Sequence, residues 1–144
     1  MVAGNLFGLG RLEAVRLLDV DFPEELVPFT GPKFGMEGVR KLIGTTDRPH
    51  VGTIIKPKVG LNPKDTAEVA YKAAIGGVDL IKDDETLTDQ TFCPMDERLQ
   101  AVMAKLDEAK SETGQEVLYA VNISARADDI VERAEHAIDL GANM

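Results

Sequence analysis

From His50 onward, the apolar and polar positions of the chain switch repeatedly between two periods. Residues 50–56 form a short apolar and β-branched run, the composition of a strand buried in a sheet. Asn62-Pro63 then supplies an N-cap and a first-turn proline. Ala67, Ala70, Ala73 and Ala74 follow at helical spacing as far as Gly76-Gly77. Residues 78–81 predict a second short strand. After Pro94, the residues Leu99, Val102, Met103, Leu106 and Ala109 share one helical face that ends near Gly114. Asp96 and Glu97 lie in the first turn of that helix, where the dipole favours acidic groups. Residues 117–123 predict a third strand, and a helix follows with Ile130, Val131, Ala134, Ala137 and Ile138 as its apolar face and Gly141 at its end.

Three successive strand–helix units predict an α/β fold with a parallel sheet and right-handed crossovers. An open doubly wound sheet and a closed eight-stranded β/α barrel both fit that rhythm. A dinucleotide-binding sheet would carry Gly-x-Gly-x-x-Gly after its first strand. Here that place holds Lys56-Pro57-Lys58 and then Val59-Gly60, which favours the barrel. A whole barrel takes roughly 250 residues, so the expectation is its opening part, residues 50–144, in a partial sequence. Residues 1–49 have turns at 8–10, at Phe22-Pro23 and at 29–35, without the strand–helix rhythm. They are expected to be the end of a preceding α+β domain, 1–30, and a linker into the barrel, 31–49.

At 144 residues, with 44% hydrophobic and 28% charged side chains, the chain is long enough to bury a core. Its formal net charge of −9 argues against nucleic acid or an anionic membrane as a partner, because both select for clustered Lys and Arg. An anionic substrate would need local cations. No apolar run reaches the length of a membrane span, and residues 1–10 lack the basic start and apolar stretch of a signal peptide, so a cytoplasmic location is expected. The single cysteine, Cys93, excludes an internal disulfide and cannot build a thiolate metal site alone. It is expected to fill a small apolar space at the start of a helix.

Two charged runs close the first two strands: Lys56-Pro57-Lys58 and Lys82-Asp83-Asp84-Glu85. Side chains alternate along a strand, which would put Lys56 with Lys58 on one face and Lys82 with Asp84 on one face. Neighbouring parallel strands lie about 4.8 Å apart, so the two clusters can converge at the C-terminal strand ends, where barrel enzymes keep their chemistry. Asp83, Asp84 and Glu85 offer the oxygen donors that Mg²⁺ prefers. A lysine could join them only as a carbamate, its neutral amine having reacted with CO₂. Alone, either run reads as a solvated strand end; their occurrence on consecutive strands makes a site an equal reading.

At these residues the sequence resembles the large subunit of ribulose-1,5-bisphosphate carboxylase/oxygenase (RuBisCO). The resemblance rests on residues 52–61, Gly-Thr-Ile-Ile-Lys-Pro-Lys-Val-Gly-Leu, and on 76–85, Gly-Gly-Val-Asp-Leu-Ile-Lys-Asp-Asp-Glu, the second being highly specific. Gly4-Asn5-Leu6-Phe7-Gly8 is similar to a motif near the end of the family's N-terminal domain, and residues 29–35 to its linker. The resemblance implies that Lys82 is the lysine carbamylated by CO₂ and that its carbamate, with Asp84 and Glu85, holds Mg²⁺, Asp83 being a neighbour and not a ligand. It implies that Lys56 transfers protons, its pKa lowered by a nearby cation and metal, and that Lys58 contacts substrate. Asn5 would reach the active site of the neighbouring subunit in a homodimer or higher homo-oligomer with shared sites. The implied reaction is enolisation of ribulose-1,5-bisphosphate and attack on CO₂ or O₂, with carboxylation yielding two 3-phosphoglycerate.

Ile54 stands where plant-type enzymes carry a threonine, and Leu80 replaces a usual phenylalanine. With Lys33-Phe34 and Cys93-Pro94, these departures resemble the archaeal-type form III group. That group implies AMP-linked nucleotide and ribose salvage rather than the Calvin cycle. The alternatives are a RuBisCO-like enolase of methionine salvage, and an inactive truncated product whose open sheet edge and uncovered helix faces would aggregate. His50 and His136 are expected to be structural or exposed, and Asn122 either faces the barrel mouth or satisfies backbone groups.

Overall fold

The structure, a computed structural model, describes residues 9–26 and 31–144. Two compact units divide the chain, Met1–Gly35 and Met36–Met144. In the first, the described residues hold one regular element, a short 3-10 turn at Glu24–Leu26. The second contains nearly all of helix α1, Gly35–Ile43, and then β1 (Gly52–Ile54), α2 (Pro63–Ile75), β2 (Leu80–Lys82), α3 (Met95–Thr113), β3 (Leu118–Ala120) and α4 (Ile130–Asp139).

The three strands form a parallel sheet in sequential order, with Thr53 opposite Ile81 and Ile81 opposite Tyr119. Pairing extends past the strand ends: the Ile55 N–H donates to Lys82 O and the Asp83 N–H to Ala120 O, each at 3.0 Å. This rigidifies the segments that leave the sheet with charged residues. Helix α2 begins where the sequence predicts, with Asn62 Oδ1 accepting from the Asp65 N–H at 2.9 Å and Pro63 in the first turn. Helix α3 ends at Gly114, whose φ of 72° lies in the left-handed region that closes a helix without a Cβ clash.

The core lies between one sheet face and the helices. Ile55, Ile81 and Tyr119 meet Ala67, Ala70 and Ala74 of α2, Leu99, Val102, Leu106 and Ala109 of α3, and Ala137 of α4. Each large apolar side chain so buried contributes about 1.5–3 kcal/mol. All three helices therefore reach the same face of the sheet. A doubly wound sheet would cover both faces, whereas here Gly52, Ile54, Leu80, Lys82 and Ala120 line an open hollow with Met144.

The structure departs from the sequence reading in three places. Helix α1 falls in the 31–49 stretch expected to be linker and entry to the barrel, for which the sequence reading predicts no helix; Met36, Val39 and Ile43 stand at helical spacing, but Gly35 and Gly38 mask the pattern. The strands are only three residues long, although ladder bonds continue one residue past β1 and β2. Helix α4 buries Ala137 alone, and Val131 and Ile138 of its expected core face are 65% and 66% exposed. Val131 and Ile138 stand seven residues apart, two turns along one stripe, and that stripe looks away from the sheet.

Candidate active site

The site is built at the C-terminal ends of β1 and β2. Lys82 is the last residue of β2, and Lys56 follows β1 by two residues. Register sets Ile54 opposite Lys82, so the loop after β1 runs beside the acidic segment after β2. There the Lys56 ammonium forms an ion pair with Asp84 Oδ2. The other oxygen of Asp84 accepts from the Thr86 N–H at 2.9 Å and from Thr86 Oγ1 at 2.6 Å, a local turn that aims the carboxylate. Asp84 is buried, while Lys56 is more than half exposed.

These contacts set the charges. The Lys56 hydrogen bond and then the Thr86 bonds hold the Asp84 carboxyl far below its ordinary range. Asp84 in turn raises Lys56 above 10.5. The nearest charge to the Lys56 amine is this carboxylate, which favours the protonated form. Glu85 is exposed and is lowered by its own backbone N–H and then by Lys82. Lys82 Nζ donates to Asp83 O at 2.8 Å and to Glu85 Oε2 at 3.4 Å.

Lys56, Lys82, Asp84 and Glu85 therefore come together, with Lys58 exposed on the loop beyond Pro57. Asp84 lies two residues beyond Lys82, past the end of β2, and its carboxylate is bonded by Lys56 and Thr86. Asn5 lies outside the described residues. Among the described residues, no three His, Cys, Asp or Glu side chains gather as a metal site. The donor chemistry still suits Mg²⁺. Asp84 and Glu85 are adjacent oxygen donors, and Asp84 already presents an oxygen to a cation, the ammonium of Lys56.

Asp83 faces the other way, into the core. Its Oδ1 accepts from Tyr119 Oη at 2.5 Å, and its Oδ2 accepts from Arg98 Nε at 3.0 Å and from the Asn122 N–H at 2.9 Å. Burial and then the Asp83 charge push the Tyr119 hydroxyl well above its usual pKa. Burial opposes the charge on Arg98, but Asp83 outweighs it and leaves the guanidinium firmly protonated. Arg98 and Tyr119 are absent from the sequence reading. Arg98 could have been found as a charged residue next to Leu99 and four before Val102, inside an apolar stripe. Asn122 satisfies backbone groups, its Nδ2 donating to Asp84 O at 3.0 Å. Cys93 is buried just before α3, as expected. His50 pairs with Thr45, and His136 pairs with Asp96 at 2.8 Å across α3 and α4.

At the opposite end of the sheet, Asp79 accepts a bidentate pair from Arg48 at 2.6 and 2.7 Å, the Val51 N–H at 2.8 Å and Gln115 Nε2 at 3.1 Å. This cluster ties the start of β1 to β2 and α3.

A single layer of helices on a parallel sheet, with lysines and carboxylates at the C-terminal strand ends, is an α/β arrangement. Residues 35–144 match the family described as ribulose bisphosphate carboxylase large chain, catalytic domain, and the chain belongs to that family. It is 44% identical over 144 residues to the ribulose bisphosphate carboxylase of Methanosarcina mazei, covering 99% of this chain and 34% of that protein. It is 47% identical over 143 residues to a ribulose bisphosphate carboxylase-like protein of Archaeoglobus fulgidus, covering 99% and 32%. The dimeric archaeal Rubisco of Hyperthermus butylicus superimposes with a TM-score of 0.77 at 41% identity, over 96% of this chain and 33% of that one. The chain thus spans about a third of the length of the curated relatives it matches. Among the described residues, no helix is long and apolar enough to cross a membrane.

Proposed function

We propose that the chain is the opening part of the catalytic barrel of a ribulose-1,5-bisphosphate carboxylase, with the preceding domain's end at 1–30 and the linker at 31–49. The observation that carries this reading is the meeting of Lys56 with Asp84 and of Lys82 with Glu85 at adjacent strand ends. Sequential strand order with helices on one face supports the barrel. In this reading Lys82, as its carbamate, joins Asp84 and Glu85 in holding Mg²⁺, which supplies Lewis-acid polarisation of the substrate carbonyl. Lys56 carries a proton between substrate and the site. Its pairing with Asp84 favours the protonated ammonium, the form in which it would donate a proton. Lys58, exposed beyond Pro57, meets an anionic substrate group, and Asn5 completes the site of a second subunit. Dimeric assembly, as named for the Hyperthermus protein, fits a shared site. A role in AMP-linked salvage and a cytoplasmic location belong to the same proposal.

The second reading is a RuBisCO-like enolase, favoured by the 47% identity to the Archaeoglobus RuBisCO-like protein. Incubating the protein that carries this chain with ribulose-1,5-bisphosphate, Mg²⁺ and labelled CO₂ separates the two. Labelled 3-phosphoglycerate, lost in Lys82→Ala, supports the carboxylase. Absence of labelled product with Mg²⁺ bound refutes it and leaves the enolase.

A further inference from the structure

A charged pair with no accessible surface is an unusual thing for a core to contain. Arg98 and Asp83 are both fully buried, and replacing such a pair by apolar side chains is commonly neutral or stabilising. Stability alone therefore gives no account of them, and their geometry supplies another. Arg98 grips the whole loop between β2 and α3. Nε donates to Asp83 at the loop's start, Nη2 to Thr88 O at 2.8 Å and to Leu87 O at 3.5 Å in its middle, and Nη1 to Cys93 O at 2.7 Å at its end. Asp84 and Glu85 lie inside the span so held. Tyr119 and Asn122 close the other side, joining Asp83 and the Asp84 carbonyl to β3 and the segment after it. The carboxylate of Asp83 accepts from three donors, and the guanidinium uses all three of its nitrogens.

We infer that Arg98, through Asp83, is a positioning residue that holds the Asp84–Glu85 segment in one conformation so that both carboxylates are ready for a cation. A planar fork with fixed donor directions is what this needs. Lysine would retain the charge but reach fewer of the four acceptors. A loop released at any of these points would keep its carboxylates but pay ordering entropy on each binding event. Partners that orient metal ligands typically matter by about 10–100-fold in affinity. The inference rests on the reading of Asp84 and Glu85 as cation ligands.

The test uses the protein that carries this chain, in four forms: unaltered, Arg98→Lys, Tyr119→Phe and Leu99→Ala. Tyr119→Phe removes one donor to Asp83 without touching the charge pair, and remains informative if Arg98→Lys fails to fold. Leu99→Ala truncates an adjacent core side chain that makes none of the hydrogen bonds to the loop. Two quantities are measured: amide hydrogen exchange at Thr86 and Leu87, whose N–H groups bond Asp84, and Mn²⁺ affinity in bicarbonate buffer by electron paramagnetic resonance. Arg98→Lys is expected to speed exchange at both amides and weaken Mn²⁺ binding about 10–100-fold, Tyr119→Phe to do the same less strongly, and Leu99→Ala to lower the melting temperature with Mn²⁺ affinity unchanged. Unchanged exchange and affinity in Arg98→Lys and Tyr119→Phe would overturn the inference, as would an equal loss of affinity in Leu99→Ala. If the unaltered protein binds no Mn²⁺, the proposed metal function fails instead, and the exchange data still judge whether Arg98 holds the loop.

Discussion

Protonating Asp79 should remove a measurable share of stability at acid pH. Its carboxylate has no exposed side-chain surface and takes two bonds from Arg48, one from the Val51 N–H and one from Gln115. The Arg48 hydrogen bond, outweighing the cost of burial, lowers its pKa from 3.8 to about 2. A folded-state pKa below the unfolded value means that the unfolded chain binds the proton more tightly. The stabilisation is therefore complete above about pH 4 and is lost as pH falls through about 2. By linkage this difference corresponds to about 2 kcal/mol. Because Arg48 is 42% exposed and solvent screens its charge, about 1–2 kcal/mol is the expected share. Urea unfolding followed by far-ultraviolet circular dichroism from pH 5 to pH 2 would compare the protein with Asp79→Asn. Their stability difference should shrink by about 1–2 kcal/mol over that window, and exchange protection of the Val51 amide should fall with it. A difference that stays constant across the range would refute the argument.

Lys56→Met should free Asp84 from its ammonium partner. Mn²⁺ affinity is then expected to rise about two- to fivefold, the size of an exposed ion-pair effect, while any proton-transfer activity is lost; weaker metal binding would contradict the competition between Lys56 and a cation. The 144-residue chain expressed by itself exposes Ile54 on its open sheet face and Val131 and Ile138 on α4. It is expected to self-associate in analytical ultracentrifugation, and a stable monomer with a cooperative melt would oppose that.

Local chemistry accounts for what the sequence made legible. Helix α2 is announced by its own cap, Asn62-Pro63, and α3 by its acidic first turn and by Gly114; each signal lies within a few residues of the element it controls. The strands are visible as apolar runs, and the resemblance in residues 52–61 and 76–85 points to the residues that meet at the strand ends. Helix α1 stayed hidden because two glycines dilute a short amphipathic pattern. The outward turn of α4 also escaped, since apolar periodicity says which residues share a face but not what covers it.

By itself, then, the sequence determined the order of the strands and helices from β1 onward, the membership of the charged cluster and the family. Only the tertiary structure decided which partners each of those charges meets. Asp84 turns to Lys56 because Thr86 closes a turn on it, while its neighbour Asp83 turns into the core to meet Arg98 and Tyr119. Three consecutive acidic residues look alike along the chain. They differ because partners 15 and 36 residues away reach Asp83 from the core side of the loop, while Asp84, buried as well, is met by Lys56 and Thr86.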